Sequence, residues 1–172
     1  MFGFREMVEI LVSSAVLTYI FSGFIRGRRS IWEDLKLSAA ISVPSLVLHE
    51  LAHKFTAMFF GYAATYHANI PGLIIGVVLK LIGFPFIFFV PAYVSIPSFP
   101  FNKWFFTAIA LAGPVMNSLL IGLSYFLEKR VKKRNHLLIV LLTRKINWWL
   151  LILNLLPIPG TDGMNALKYI FS

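Results

Sequence analysis

Four long apolar runs constrain this chain more than any other feature: residues 7–25, 37–60, 104–127 and, less cleanly, 137–157. A run of about 18 residues with few charges is long enough, as a helix, to cross roughly 30 Å of hydrocarbon. The bias extends to the whole chain of 172 residues, which is 58% hydrophobic and 13% charged, with a mean hydropathy of +0.78. Soluble domains carry about a quarter charged residues. The expected fold is an all-α polytopic membrane protein with about four transmembrane helices. The first run is long for a signal peptide, and the "RGRRS" after it lacks an A-x-A-like cleavage site, so it reads as a retained helix.

The formal net charge of +9 comes mainly from short basic clusters at 26–36 and 128–135 and from Arg144 and Lys145. Clusters at the ends of apolar runs suit anchoring in the lipid bilayer, and they leave little soluble surface for a nucleic-acid partner. Cysteine is absent, which excludes disulfides and thiolate metal ligands.

Between the second and third runs, residues 61–103 do not read as one span. Pro71, Pro85, Pro91, Pro97 and Pro100 interrupt the stretch, and "FPFIFFVPAYVSI" is aromatic and β-branched in the manner of a strand. Its apolar part, 73–82, is too short to cross alone. A segment that dips in and returns puts both basic clusters on one face, as the positive-inside rule prefers, so a re-entrant segment with a small β-hairpin is expected. Irregular backbone at that depth needs protein or a water-filled cavity to satisfy it. The last run breaks at Pro157-Ile158-Pro159-Gly160, with a helix ending near Leu156 and a short one opening at Asp162.

"VLHELAHKF", residues 47–55, sets two histidines and a glutamate inside an apolar run. Four residues apart on a helix, His49 and His53 project from one face and can share one zinc, with Glu50 in reach of a water bound to it. The bland reading is a buried histidine pair bonded to backbone. It is disfavoured by cost, since an ionised acid at a helix centre in a bilayer costs roughly 2.5–3.5 kcal/mol. A hydrolytic zinc usually has three protein ligands. Among the acids, Glu6, Glu9, Glu33, Asp34 and Glu128 lie near run ends, whereas Asp162 sits at a helix break deep in the chain. Asp162 is the candidate third ligand, and an N-cap of the terminal helix is its other reading. Pro44, one turn before the site, leaves the Ala40 carbonyl without a helical donor, which either admits water or merely kinks the helix.

"HELAHKFTAMFFG" (49–61), "AGPVMN" (112–117) and "NLLPIPGTDG" (154–163) resemble, in order, the three signatures of the site-2 protease family of intramembrane zinc metalloproteases. The likeness covers roughly residues 37–168. It implies one Zn2+ per chain held by His49, His53 and Asp162, with Glu50 as catalytic base activating a zinc-bound water, and a transmembrane protein as substrate. It further implies that the hairpin region holds the substrate in extended form. The chain looks like a minimal core: a single membrane-embedded metalloprotease domain over 1–172, with 36–168 as catalytic core, 1–35 as an extra N-terminal helix and basic loop, and neither PDZ nor CBS domain. The expected location is multi-pass in the cell membrane. Family members with mapped topology place the catalytic helix's far end on the cytosolic side, opposite to the positive-inside count, so orientation stays open, as does oligomeric state.

Asn154 and Asn117 match family motif positions whose amides contact substrate backbone or a developing oxyanion, and their bland reading is hydrogen bonding between helices. His67, His136 and Asn147 read as loop or interface residues. The main competing function is a catalytically silent membrane protein that binds transmembrane segments and keeps a structural zinc. Intact Glu50 argues against it. A metal transporter would need more acids along a path, and an anchored zinc peptidase acting on soluble substrates is separable by comparing substrates.

Overall fold

The structure, a computed structural model, describes residues 2–22, 30–83, 90–97 and 101–172. In chain order the elements are α1 (Phe4–Ser22), α2 (Ile31–Phe59), β1 (Thr65–Ala68), α3 (Ile70–Leu81), β2 (Ala92–Ser95), α4 (Lys103–Glu128), α5 (Arg134–Leu155) and α6 (Asp162–Ile170). The architecture is all-α apart from one two-stranded antiparallel sheet. Helices α2, α4 and α5 are long and apolar enough to cross a bilayer. Helix α1, expected as a fourth span, carries Arg5, Glu6 and Glu9 in its first two turns. Its uncharged part within the helix, residues 10–22, amounts to about 20 Å. The rest of the first run, 23–25, and part of the basic cluster that follows lie outside the described residues.

Helix α2 is the spine. A capping box opens it: Ser30 Oγ accepts from the Glu33 N–H, and Glu33 accepts from the Ser30 N–H. It runs unbroken through Pro44, and Ala40, whose carbonyl Pro44 cannot serve, is exposed. One face of α2 is small and polar, with Ser38, Ser42 and Ser45 fully buried. Small residues let neighbouring helices approach closely, and their hydroxyls bond across the contact. Ser38 Oγ donates to the Thr18 carbonyl of α1, and Asn147 of α5 donates to Ser45 Oγ, both at 2.7–2.8 Å. Asn147 is therefore the interface residue expected.

The sheet is built differently from a local hairpin. Its strands flank α3, so β2 pairs not with a neighbour inside "FPFIFFVPAYVSI" but with β1, upstream of the helix. Residues 84–89 of that stretch lie outside the described residues. Helix α3 has 12 residues, about 18 Å, too short to cross. Asn69 caps it, and Leu73 packs with Leu17 of α1 and Leu46 of α2.

Helix α1 closes one edge of this sheet. The Tyr66 N–H donates to Glu6 Oε1 (2.7 Å) and the Ala68 N–H to Glu9 Oε2 (2.9 Å). By the alternation of an antiparallel ladder, Thr65 and His67 then face β2, pairing with Ser95 and Tyr93. The backbone groups of Ala92 and Val94 point the other way, and among the described residues no hydrogen bond reaches them. Glu6 also accepts from Lys54 Nζ at 2.6 Å, and Lys54 is 1% exposed, beside His53 on α2. Breaking a buried ion pair by removing one partner leaves an uncompensated charge and costs about 3–5 kcal/mol. Lys54→Met is accordingly expected to lower the free energy of unfolding in detergent by a margin of that order, and Glu6→Gln/Lys54→Met to recover much of it. A single variant that melts with wild type would contradict this role.

Candidate metal centre

Two helices bring the expected ligands together. His49 and His53 project from one face of α2, and both are buried, at 4% and 8% exposure. Asp162 arrives from the C-terminal break, where α5 ends at Leu155 and α6 begins at Asp162 itself. Thr161 is the N-cap of α6: its Oγ1 accepts from the Met164 N–H. The capping role that sequence alone allowed Asp162 thus falls to its neighbour, leaving the carboxylate free for another partner. Gly160 turns the chain with φ +94°, and Gly163 lets α6 press on α5, since a Cβ there would lie 2.5 Å from the Leu155 carbonyl oxygen.

Asp162 Oδ2 lies 3.1 Å from His49 Nε2 and 3.4 Å from His53 Nε2, and the two Nε2 atoms are 3.2 Å apart. Among the described residues this is the set of ligand-bearing side chains close enough to hold a metal ion. The arrangement fits zinc on two independent grounds. Ligands about 2.0–2.2 Å from a tetrahedral zinc stand roughly 3.3 Å from one another, which is the spacing observed. The chemistry of the donors agrees. His53 Nδ1 sits 2.7 Å from the Ile109 carbonyl, which only accepts, so Nδ1 carries the proton and a neutral ring offers a lone pair at Nε2. That lone pair faces Asp162 Oδ2, a buried oxygen with no hydrogen-bond partner. Acceptors held in mutual contact need a cation or a proton between them.

A cavity of about 380 Å³ opens at this cluster and is lined by Glu50, both histidines and Asp162. Asn154 lines it from α5, and β2 borders it through Ala92, Tyr93 and Val94. Asn117 is fully buried, with its amide 3.1 Å from His49 Nδ1, and is not among the residues that line the cavity. His67 lies in β1, in contact with Ser95 and Glu9. Asn165 and Tyr169, which no sequence motif marked, also line the cavity from α6. The spacing of Asn165, three residues after Asp162 on a helix, was the signal available.

Helix α4 forms the floor beneath both histidines. A Cβ on Gly113 would lie 2.4 Å from His53 Nε2 and 2.5 Å from His49 Nε2. Alanine favours a helix interior over glycine, so Gly113→Ala keeps α4 helical while pushing the two rings apart. Zinc affinity, measured by chelator competition, is expected to fall at least about tenfold, the scale on which disturbed ligand support is felt. Unchanged affinity would contradict the described packing.

Comparison with known proteins gives the same direction. A protein of Methanocaldococcus jannaschii named "Putative zinc metalloprotease MJ0611" is 32% identical over 171 residues, 98% of this chain and 86% of that protein. "Putative zinc metalloprotease Rip2" of Mycobacterium tuberculosis is 30% identical over 137 residues, 72% of this chain and 53% of Rip2, so the match spans about half of that relative. No family model and no solved structure matches the chain. The signatures around His49, Asn117 and Asp162 and a relative matched along almost the whole chain lead to one assignment: this protein belongs to the site-2 protease-type family of zinc metalloproteases.

Proposed function

We propose that this chain is an intramembrane zinc endopeptidase, multi-pass in the cell membrane, that hydrolyses a peptide bond within or near the transmembrane segment of a protein substrate. The observation that carries the reading is the convergence of His49, His53 and Asp162 beside Glu50 at a cavity, on a helix long and apolar enough to cross a bilayer. His49, His53 and Asp162 are the residues that would hold one zinc per chain. When bound, such a zinc supplies Lewis acidity, acidifying water and polarising a carbonyl. Glu50 takes the proton of the attacking water and returns it to the leaving amine as the peptide bond breaks. Asn154 donates to the carbonyl oxygen as negative charge develops there, a role supported by its place on the cavity wall.

The substrate must arrive unwound, because a helix bonds its own carbonyls. Strand β2 offers the means. Its Ala92 and Val94 groups are unpaired among the described residues and border the cavity, whereas the far edge of β1 is taken by Glu6 and Glu9. An extended segment added to β2 would therefore lie on the side of the metal ligands, with main-chain hydrogen bonds supplying affinity.

The test is cleavage of a single-span substrate by purified protein in detergent and in liposomes. Glu50→Gln is expected to slow turnover by about 10²–10⁴-fold, the range for loss of a general base, with zinc still bound, and a chelator is expected to abolish cleavage. Full activity in Glu50→Gln would refute the role of Glu50. Zinc bound with no cleavage of any membrane substrate would favour a protein that binds transmembrane segments without cutting them.

A further inference from the structure

The two histidines are tied from behind by the same helix, and the symmetry of the arrangement assigns a task to Asn117. Ile109, Gly113 and Asn117 stand four residues apart on α4 and so present one face over three turns. The middle residue leaves room for both rings. The outer two reach the rear nitrogens: the Ile109 carbonyl lies 2.7 Å from His53 Nδ1, and the Asn117 amide lies 3.1 Å from His49 Nδ1. At His53 the partner is an acceptor, which fixes the proton on Nδ1 and frees Nε2. His49 needs the same arrangement, because a proton on its Nε2 would block that atom from a metal.

An amide can meet His49 Nδ1 by either end, and the two ends have nearly the same shape. With Nδ2 towards the ring, the amide donates, Nδ1 must accept, and the proton is driven to Nε2. In that orientation Asn117 Oδ1 is also buried without a hydrogen-bond partner. Turning the amide over places Oδ1 on Nδ1–H and leaves a lone pair on Nε2 towards Asp162 and His53, with Nδ2 taking the buried place that Oδ1 held. Asn117 is fully buried, so neither end is exposed to solvent in compensation.

We propose that Asn117 is a positioning residue that accepts a hydrogen bond from His49 Nδ1–H through its side-chain oxygen and so holds His49 in the tautomer that binds metal. This rests on the metal reading of the site and adds to it a residue that touches neither metal nor substrate. A carboxylate in the same place would accept the same proton, as in the carboxylate–histidine–zinc arrangement common in metal sites. An isosteric aliphatic side chain would not.

Zinc affinity of the purified protein, by competition with a chelator of known affinity, separates the cases. Asn117→Leu is expected to bind zinc about 10–100-fold more weakly than wild type, and Asn117→Asp to stay within about threefold, with helical content recorded for both. A role confined to packing α4 on α2 predicts no such rescue by Asp. Wild-type affinity in Asn117→Leu, or equal losses in the two variants, would overturn the proposal. Should Asn117→Leu fail to fold, Asn117→Asp decides alone: affinity within threefold supports the acceptor role, and a tenfold loss overturns it. Wild type that binds no zinc would sink the metal centre itself, a result visible before any variant is made.

Discussion

The contact between α2 and α4 at Gly113 is the constraint on which the site depends. Two imidazoles can point their Nε2 atoms at one spot only if something behind them holds each ring and nothing in front pushes them apart. Helix α4 does both with residues spaced at four. It offers a carbonyl to His53, an amide to His49, and no side chain between them. The third donor then depends on a different device, the break after Leu155, which turns the chain so that Asp162 begins α6 facing the same spot. Thr161 caps the helix, and Asp162 is left to the cluster.

Around this centre, buried polar groups link elements that are distant in sequence. Lys54, next to His53, is buried against Glu6 of α1 and the Ala64 carbonyl. Glu6 in turn holds the Tyr66 N–H, and Glu9 the Ala68 N–H. In a setting where an unsatisfied polar group costs several kcal/mol, such groups survive only when matched, and the match ties α1, α2 and β1 into one unit. The consequence for function is directional. The sheet has one edge occupied by α1 and its other strand borders the cavity, which among the described residues leaves the outer edge of β2 for the peptide pairing proposed above.

Much of this was legible from sequence because membrane helices and metal motifs write local, periodic signals. The span around His49 and the one ending at Glu128 appear within a few residues of the expected limits, apart from the start of α2 at Ile31, which the charged turn of Glu33 and Asp34 hid from a reading based on apolarity. The broken C-terminal helix and the convergence of Asp162 on the two histidines followed from Pro-Ile-Pro-Gly and from the scarcity of acids. The strand pairing was not legible in the same way. "TYHA" is a four-residue strand whose partner lies beyond an intervening helix, and no local alternation announces it. The place of Asn117 was hidden for a related reason: the motif marks the residue, but which side of the His49 ring it meets depends on how α4 crosses α2. Nor does the apolar pattern of the first run announce that Glu6 and Glu9, near its start, accept from the backbone of β1.

The claim that His49, His53 and Asp162 form one zinc site is tested most directly by elemental analysis of purified protein together with X-ray absorption at the zinc edge, comparing wild type with Asp162→Ala. About one zinc per chain is expected, with nitrogen and oxygen neighbours at about 2.0–2.2 Å, and marked loss of zinc in the variant. Protein that folds without zinc, or zinc whose stoichiometry and neighbours are the same in Asp162→Ala, would contradict it.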